Sequence, residues 1–302
     1  MHSLISLPRI PVGEFFRRFV DFLRDYFGWL FRGFTNFIDF SINGLYDVLR
    51  FMPSLVLILL IGAFAYWVSR KKGLALFVIF ALVFVDSIEY FDDLLYTFTM
   101  VMVGSLIALV IGIPIGILAA KHDRLNERII RPVLDFMQTL PAFVYLIPAV
   151  ILFGGIGDTP GVVATIIFAM PPAVRLTNLG IRQVPKEVLE AGRSMGSTDR
   201  QLLFKVQLPV ALPSIMAGVN QTIMLALSMV VIGAMAGSFG LGREVYHAVT
   251  SAQVARGFES GLAVVLLAMV LDRLTQAIGE KITKESAETP EYIKKSHRRR
   301  YT

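Results

Sequence analysis

The sequence predicts an all-α, polytopic membrane protein with about seven transmembrane helices. Of its 302 residues, 55% are hydrophobic and 17% are charged, and the mean hydropathy is +0.65. Soluble domains are about 45–50% apolar and about 25% charged, so much of this chain faces something other than water. A helix that crosses the hydrocarbon core needs about 20 apolar residues. Suitable stretches lie near residues 53–69, 73–91, 94–120, 133–156, 160–181, 214–237 and 260–279.

The composition argues against several other classes of protein. The absence of cysteine excludes disulfides and thiolate metal sites, and four scattered histidines argue against a histidine metal cluster. The net charge of +6 fits the basic bias of cytoplasmic membrane loops better than nucleic-acid binding. No G-x-x-x-x-G-K-[ST] or H-E-x-x-H pattern supports a nucleotide-binding or hydrolytic enzyme. We therefore expect no catalytic residue, metal site or cofactor in this chain.

The first part of the chain, residues 1–52, reads as an amphipathic N-terminal extension. Residues 14–32 carry charges at helical spacing, with phenylalanines among the remaining positions, and residues 34–51 repeat the pattern more weakly. The charges argue against a membrane span. The aromatic content favours amphipathic interfacial helices that lie along the bilayer, and the alternative is soluble helices packed on a core.

Charges in the loops predict the orientation of the spans. Basic residues 70–72 and 121–131 flank the acidic stretch 86–93, which places the two basic loops in the cytoplasm. The spans divide into a first pair, residues 53–92, and a larger transmembrane domain, residues 93–282. The count places residues 183–213 and a basic tail, residues 283–302, in the cytoplasm. It places the N-terminus outside, although its arginines argue for the opposite side.

Prolines and glycines inside three adjacent spans predict broken helices. The third span contains Gly112, Pro114 and Gly116, and the fourth contains Pro141 and Pro148. The fifth contains an adjacent pair, residues 171–172. Freed backbone carbonyls are tolerated where protein or a water-filled cavity surrounds them, so broken helices suit a transport path. Packing kinks are the alternative for any single proline.

Ionisable residues at membrane depth are sparse. Arg175 and Asp272 fall near the cytoplasmic ends of their spans, where an arginine reaches water and an aspartate pairs with Arg273 or another neighbour. No chain of buried ionisable residues indicates a proton relay, which argues against a proton-coupled carrier.

The polar stretch 183–213 carries start and stop signals for two short helices. Pro185 suits a first helical position, and Gly196 closes that helix in a left-handed conformation. Thr198 followed by Gln201 predicts a capping box for the second helix. The prolines at 209 and 213 are expected to stop the second helix before the next span.

The same stretch has features of a docking element. The small residues Ala191, Gly192 and Gly196 permit close approach by a partner, and Glu190 offers a capping or ion-pairing acceptor. An apolar side of the second helix, formed by residues 202, 203 and 206, completes an amphipathic element that suits a partner's groove.

These residues resemble the EAA loop of permease subunits in bacterial ATP-binding cassette importers. That pattern reads EAA, three residues, G, nine residues, I, one residue, LP, and the spacing matches throughout. Here it consists of Glu190, Ala191, Gly192, Gly196, Val206, Leu208 and Pro209. Gly192 replaces the second alanine and Val206 replaces the isoleucine. The resemblance implies a type I importer permease whose loop forms a coupling helix in a groove of the ATPase subunit.

Between Thr97 and Glu280 the chain is similar to glycine betaine/proline betaine permeases of osmoprotectant uptake systems. The similarity includes TFTMVMVGSLIALVIGIPIGILAA, DFMQTLPAFVYLIPAVILFG and FAMPPAVRLTNLGIRQVP. It implies a multi-pass protein of the bacterial cell membrane, with an N-terminal extension on the outer side. It also implies ATPase subunits that bind ATP and Mg²⁺, a second permease copy, an extracytoplasmic substrate-binding protein and contact with membrane lipids.

The sequence leaves open which compound is the cargo and which residues bind it. Permeases for choline, carnitine or another quaternary amine are alternatives, as is an ion-coupled secondary carrier or channel. Phe143, Tyr145 and Phe168 suit an aromatic cage for a quaternary ammonium, but packing or lipid-facing roles are favoured for each. The basic tail is interpreted as a cytoplasmic anchor, with sensing of ionic strength at anionic lipid as the alternative.

Overall fold

The structure, a computed structural model, describes residues 11–287, and this part of the chain folds into helices joined by short turns. The all-α prediction is confirmed. Residues 1–10 of the N-terminal extension and residues 288–302 of the predicted basic tail lie outside the described residues. The helices are α1 Val12–Arg50, α2 Ser54–Ser69, α3 Lys72–Ser87, α4 Phe91–Lys121, α5 Asp123–Leu125, α6 Arg131–Thr139, α7 Leu146–Leu152, α8 Asp158–Arg182, α9 Lys186–Ser194, α10 Asp199–Leu202, α11 Leu208–Gly233, α12 Leu241–Thr250 and α13 Val254–Ala287.

Within residues 11–287, four helical segments are long and apolar enough to cross a membrane. They are α4, α8, the run Asp199–Ala236 that contains α11, and α13. Two bent pairs raise the number to as many as six if each pair is one span. Among the other predicted spans, α2 and α3 have 16 residues each, fewer than the roughly 20 that a full crossing needs. The prediction of several transmembrane helices is therefore confirmed, with four to six such segments in this part of the chain where about seven were expected.

The fourth predicted span, residues 133–156, is divided by a sharp bend. The helical segments Asp123–Thr139 and Ala142–Leu152 meet at 109°. Leu140 has φ −72° and ψ 132°, the extended conformation that proline imposes on the residue before it. Pro141 thus breaks this span, as predicted, whereas Pro148 lies inside α7 and does not. In contrast, α4 and α8 stay continuous through Pro114 and through residues 171–172, so the predicted breaks in the third and fifth spans are wrong.

Most of the N-terminal extension forms one 39-residue helix, α1, where an amphipathic segment at residues 14–32 and a weaker one at 34–51 were expected. It meets α2 at 101°. Its Ile38 and Ile42 are buried, whereas Phe15 and Phe40 are each 77% exposed. The buried side packs on α4, α7 and α8, and Asp39 accepts a hydrogen bond from the Thr159 hydroxyl at 2.5 Å. The helix is amphipathic, and its position along a bilayer surface stays a prediction.

Glycines allow α4, α8 and α11 to pack closely at the centre of the fold. A Cβ atom added at Gly112 would lie 2.9 Å from the Ala173 Cβ, and one at Gly116 would lie 2.6 Å from the Thr177 Cβ. Gly180 of α8 makes an equally close approach to α11. The glycines that predicted a broken α4 therefore serve helix packing, in the manner of small-residue faces in membrane proteins.

Long-range contacts gather the basic loops at one end of the helices. Lys71, between α2 and α3, pairs with Glu280 near the end of α13 at 3.6 Å. Arg182, at the end of α8, pairs with Asp123 at 2.6 Å. The basic bias identifies this as the cytoplasmic end. The opposite, outer end contains Asp39 and the acidic start of α4.

The packing of α4 against α8 makes a stability prediction. Replacing Gly116 with valine forces its side chain against the Val174 carbonyl oxygen, 2.7 Å from the added Cβ, and backbone atoms yield little. We expect a loss of about 1–3 kcal/mol. The melting temperature of the detergent-purified protein should fall by roughly 3–10 °C. The matched control is Gly261→Val, because no atom lies within 4 Å of a Cβ at that position. Equal melting temperatures for the two variants would contradict this account of the packing.

Candidate functional site

The stretch 183–213 folds at the cytoplasmic end, and its first helix begins and ends close to the predicted residues. Pro185 is the N-cap of α9, one position before the predicted one. Gly196 adopts φ +78°, the left-handed conformation that ends a helix. The Ser197 N–H donates to the Gly192 carbonyl at 3.1 Å, which closes the last turn. The prediction for Gly196 is confirmed.

The predicted capping box at the start of α10 is also present. The Thr198 N–H donates to the Gln201 Oε1 at 2.9 Å, and the Gln201 N–H donates to the Thr198 Oγ1 at 3.3 Å. These two bonds satisfy backbone donors that the first turn of a helix leaves without partners. The start of α10 is therefore fixed by local sequence.

The prediction that Pro209 and Pro213 stop the second helix is wrong. A π-turn, Leu203–Gln207, carries α10 directly into α11, and the Leu208 N–H donates to the Leu203 carbonyl. Pro209 lies in the first turn of α11, and Pro213 lies inside that helix. In α geometry a proline ring clashes with the carbonyl four residues earlier, and the wider π-turn displaces that carbonyl. The result is one helical run, Asp199–Ala236, without an interruption before the span.

Several residues of the stretch 183–213 pack against other parts of the chain instead of facing outward. A Cβ atom at Gly192 would lie 2.6 Å from the Leu202 Cδ1, so this glycine lets α9 approach α10. Leu202 and Leu203 are each 3% exposed, and Leu203 packs with Ile181 and Ala211. The expectation that these leucines face a partner's groove is therefore wrong. Three further residues of the motif are half-buried: Val206, Leu208 and Pro209.

The exposed part of the motif lies on α9, which has no buried residue. Val188, Ala191 and Met195 follow one another at helical spacing and form an apolar stripe, and Met195 is 87% exposed. Glu190 is exposed beside the stripe, and its carboxylate makes no ion pair or hydrogen bond with the described part of the chain. We call Val188, Glu190, Ala191 and Met195 the α9 surface. The motif pattern does not include Met195. A large apolar residue directly before a helix-ending glycine is the sequence feature that indicates it.

Polar contacts anchor the base of the α9 surface to the membrane helices. Arg182 donates to the Ala119 carbonyl at 2.9 Å and to Asn178 at 2.7 Å, in addition to its ion pair with Asp123. The buried Val184, 4% exposed, follows this anchor immediately before α9. The end of α8 is thus tied to the end of α4, and the loop projects from a fixed support.

Other ionisable residues singled out in the spans have defined partners. Arg175 pairs with Asp135 of α6 at 2.5 Å. Asp272 accepts hydrogen bonds from Asn220 at 2.9 Å and from Gln276 at 2.8 Å, rather than pairing with the adjacent arginine. Each therefore joins neighbouring turns or helices.

Phe143, Tyr145 and Phe168, the candidates for an aromatic cage, do not form one. Tyr145 is buried, and its hydroxyl donates to the Met137 carbonyl. Its ring contacts Phe168 edge to face at 6.2 Å, whereas Phe143 is 54% exposed. Tyr145 and Phe168 therefore serve packing, the role favoured from the sequence.

Comparisons with known proteins agree with this architecture. A family model described as binding-protein-dependent transport system inner membrane component matches residues 112–284. The glycine betaine transport system permease protein OpuAB of Bacillus subtilis is 49% identical over 93% of this chain and 98% of its own length. The glycine betaine/proline betaine transport system permease protein ProW of Escherichia coli is 45% identical over 89% of this chain and 75% of its own length.

A solved structure shares the fold. An inward-facing MetNI methionine ABC transporter chain superimposes with a TM-score of 0.57 at 23% identity, over 66% of this chain and 96% of that chain. The fold, the apolar helices and the family match together establish a multi-pass membrane protein. This chain belongs to the family of binding-protein-dependent transport system inner membrane components.

Proposed function

We propose that this chain is the membrane-spanning permease subunit of an ATP-driven importer of glycine betaine and proline betaine. The observation that carries the proposal is the α9 surface, an exposed apolar stripe on a loop that continues into a membrane helix. The names of the relatives, which concern glycine betaine and proline betaine, support the choice of cargo.

In this proposal the α9 surface docks in a groove of a separate ATPase subunit. Exposed apolar side chains favour association because burial removes them from water. ATP and Mg²⁺ are bound by the ATPase subunits, and two copies of the permease line the pathway. An extracytoplasmic binding protein delivers the substrate, and membrane lipids surround the helices.

Rigid attachment makes the α9 surface suitable for transmitting motion. Gly192 holds α9 against Leu202, and α10 continues through the π-turn into α11. A displacement of α9 by the ATPase subunits therefore moves α11, which packs against α8 and α4. In an ion-coupled carrier or channel, such an exposed and supported loop would have no partner to serve.

The α9 surface gives the test of this proposal. Met195→Glu places a charge in the apolar stripe at an exposed position, so the fold is retained while docking is weakened. We expect at least about tenfold slower ATP-driven uptake of labelled glycine betaine in proteoliposomes, because an unpaired charge is costly in a dry interface. Co-purification of the ATPase subunits should fall in parallel.

The matched control is Gln183→Glu, which adds the same charge to the same loop at an exposed position outside the stripe. This control should keep uptake near the level of the unmodified protein. Uptake by Met195→Glu at the control rate would contradict docking through α9, and uptake without ATPase subunits would contradict the importer as a whole.

Gly196 supplies a second prediction. No atom lies within 4 Å of a Cβ at this position, so its φ of +78° alone determines which residues fit. Gly196→Val should disrupt the end of α9 and reduce uptake severalfold, because β-branched residues avoid this conformation. Gly196→Asn should keep most uptake, since asparagine tolerates it. Comparable transport by the two variants would show that the left-handed turn is not needed.

A further inference from the structure

A cavity of about 330 Å³ at the outer end is lined by aromatic rings from three separate elements. Tyr46 comes from α1, Tyr96 from α4, and Phe239 from the turn before α12. The Tyr46 and Tyr96 rings lie 5.0 Å apart at 77°, and the Tyr96 and Phe239 rings lie 6.1 Å apart at 79°. The rings are therefore nearly perpendicular walls of one cavity.

Hydrogen bonds hold two of these rings in place. The Tyr96 hydroxyl donates to the Asp158 Oδ2 at 2.7 Å, and the Phe239 N–H donates to the Asp158 Oδ1 at 2.8 Å. The Leu241 N–H also donates to the Thr97 Oγ1 at 2.8 Å, which ties the turn to α4. A cavity whose walls are fixed before a ligand arrives loses less entropy on binding.

The charges around the cavity suit a cation in its interior. Asp92 and Asp93 supply carboxylates to the lining. The Arg243 guanidinium carbon lies 4.8 Å from the centre of the Phe239 ring, and that of Arg50 lies 5.7 Å from the Tyr46 ring. A guanidinium group thus already lies over one face of each of these two rings. Neither arginine is among the residues that line the cavity.

We propose that this cavity is a low-affinity entry site for a zwitterionic quaternary ammonium compound in the permease itself. The inference rests on the proposed function and adds a substrate site to it. A quaternary ammonium has no N–H to donate, so aromatic faces and nearby carboxylates are the groups that recognise it. The rings and Asp93 hold the methylated ammonium, and Arg243, whose guanidinium lies over the Phe239 ring, binds the carboxylate at the other end of the ligand.

The experiment uses the permease assembled with its ATPase subunits in lipid nanodiscs, without the binding protein. Saturation-transfer NMR on the methyl signal of glycine betaine detects weak binding to the complex. Phe239→Leu and Tyr46→Leu should each weaken the transfer by about tenfold, because they remove a cation–π wall. Phe239→Trp should retain it. The matched control is Phe258→Leu, which changes a 71% exposed phenylalanine outside the cavity.

Competition identifies the chemistry of the ligand. Tetramethylammonium chloride should displace glycine betaine, and the same concentration of sodium chloride should not. Equal displacement by both salts would make the cavity a general cation site and overturn the inference. An unchanged signal in both leucine variants would overturn it as well.

The two proposals fail separately. If the complex with its binding protein imports glycine betaine but gives no ring-dependent NMR signal, the entry site is wrong and the proposed function stands. If ATP drives no uptake of any quaternary amine, the proposed function itself is wrong.

Discussion

Continuous backbone hydrogen bonding from α10 into α11 is the constraint on which the rest of the structure depends. It joins a cytoplasmic loop to a helix at the centre of the fold without a flexible link. The π-turn that makes this possible ends two residues before Pro209, and a second π-turn, Asn126–Ile130, ends two residues before Pro132. In both places an extra residue in the turn accommodates a proline that would otherwise end the helix.

The close packing of α4, α8 and α11 extends this constraint to the outer end. Glycine faces bring the helix backbones together, so movement of one helix requires movement of its neighbours. At the outer end Asp158, the first residue of α8, holds both Tyr96 of α4 and the turn after α11. The α9 surface and the outer aromatic cavity are thus opposite ends of the same packed helices. A displacement at one end therefore has a direct structural route to the other.

Local signals predicted much of the cytoplasmic site, because they act over a few residues. The capping box of Thr198 and the left-handed Gly196 are examples, since each depends only on its own turn. The effect of Pro209 was not predictable in this way, because a helix-stopping residue and a π-turn share the same sequence signal. The inward orientation of Leu202 also depended on tertiary packing, which amphipathic spacing alone does not resolve.

Sequence patterns did not predict features that are formed by residues far apart in the chain. Tyr46, Tyr96 and Phe239 meet at the outer end although most of the chain separates the first from the last. No spacing rule connects residues on separate elements, and the sequence instead indicated Phe143, Tyr145 and Phe168 as candidates for a cage. The sequence did not predict α1 as a single long helix for a related reason. Which side of α1 is apolar and which is polar depends on where it packs on α4 and α8 and where it is exposed.

The rigid connection between loop and span is tested most directly by a distance measurement. Spin labels at Gln201 and Gln221, both exposed and both on the run Asp199–Ala236, report the geometry across the π-turn. Their separation should be the same in nucleotide-free and ATP-trapped complexes. A changed distance between Gln201 and Gln221 on ATP binding would show a hinge at the junction and contradict the account.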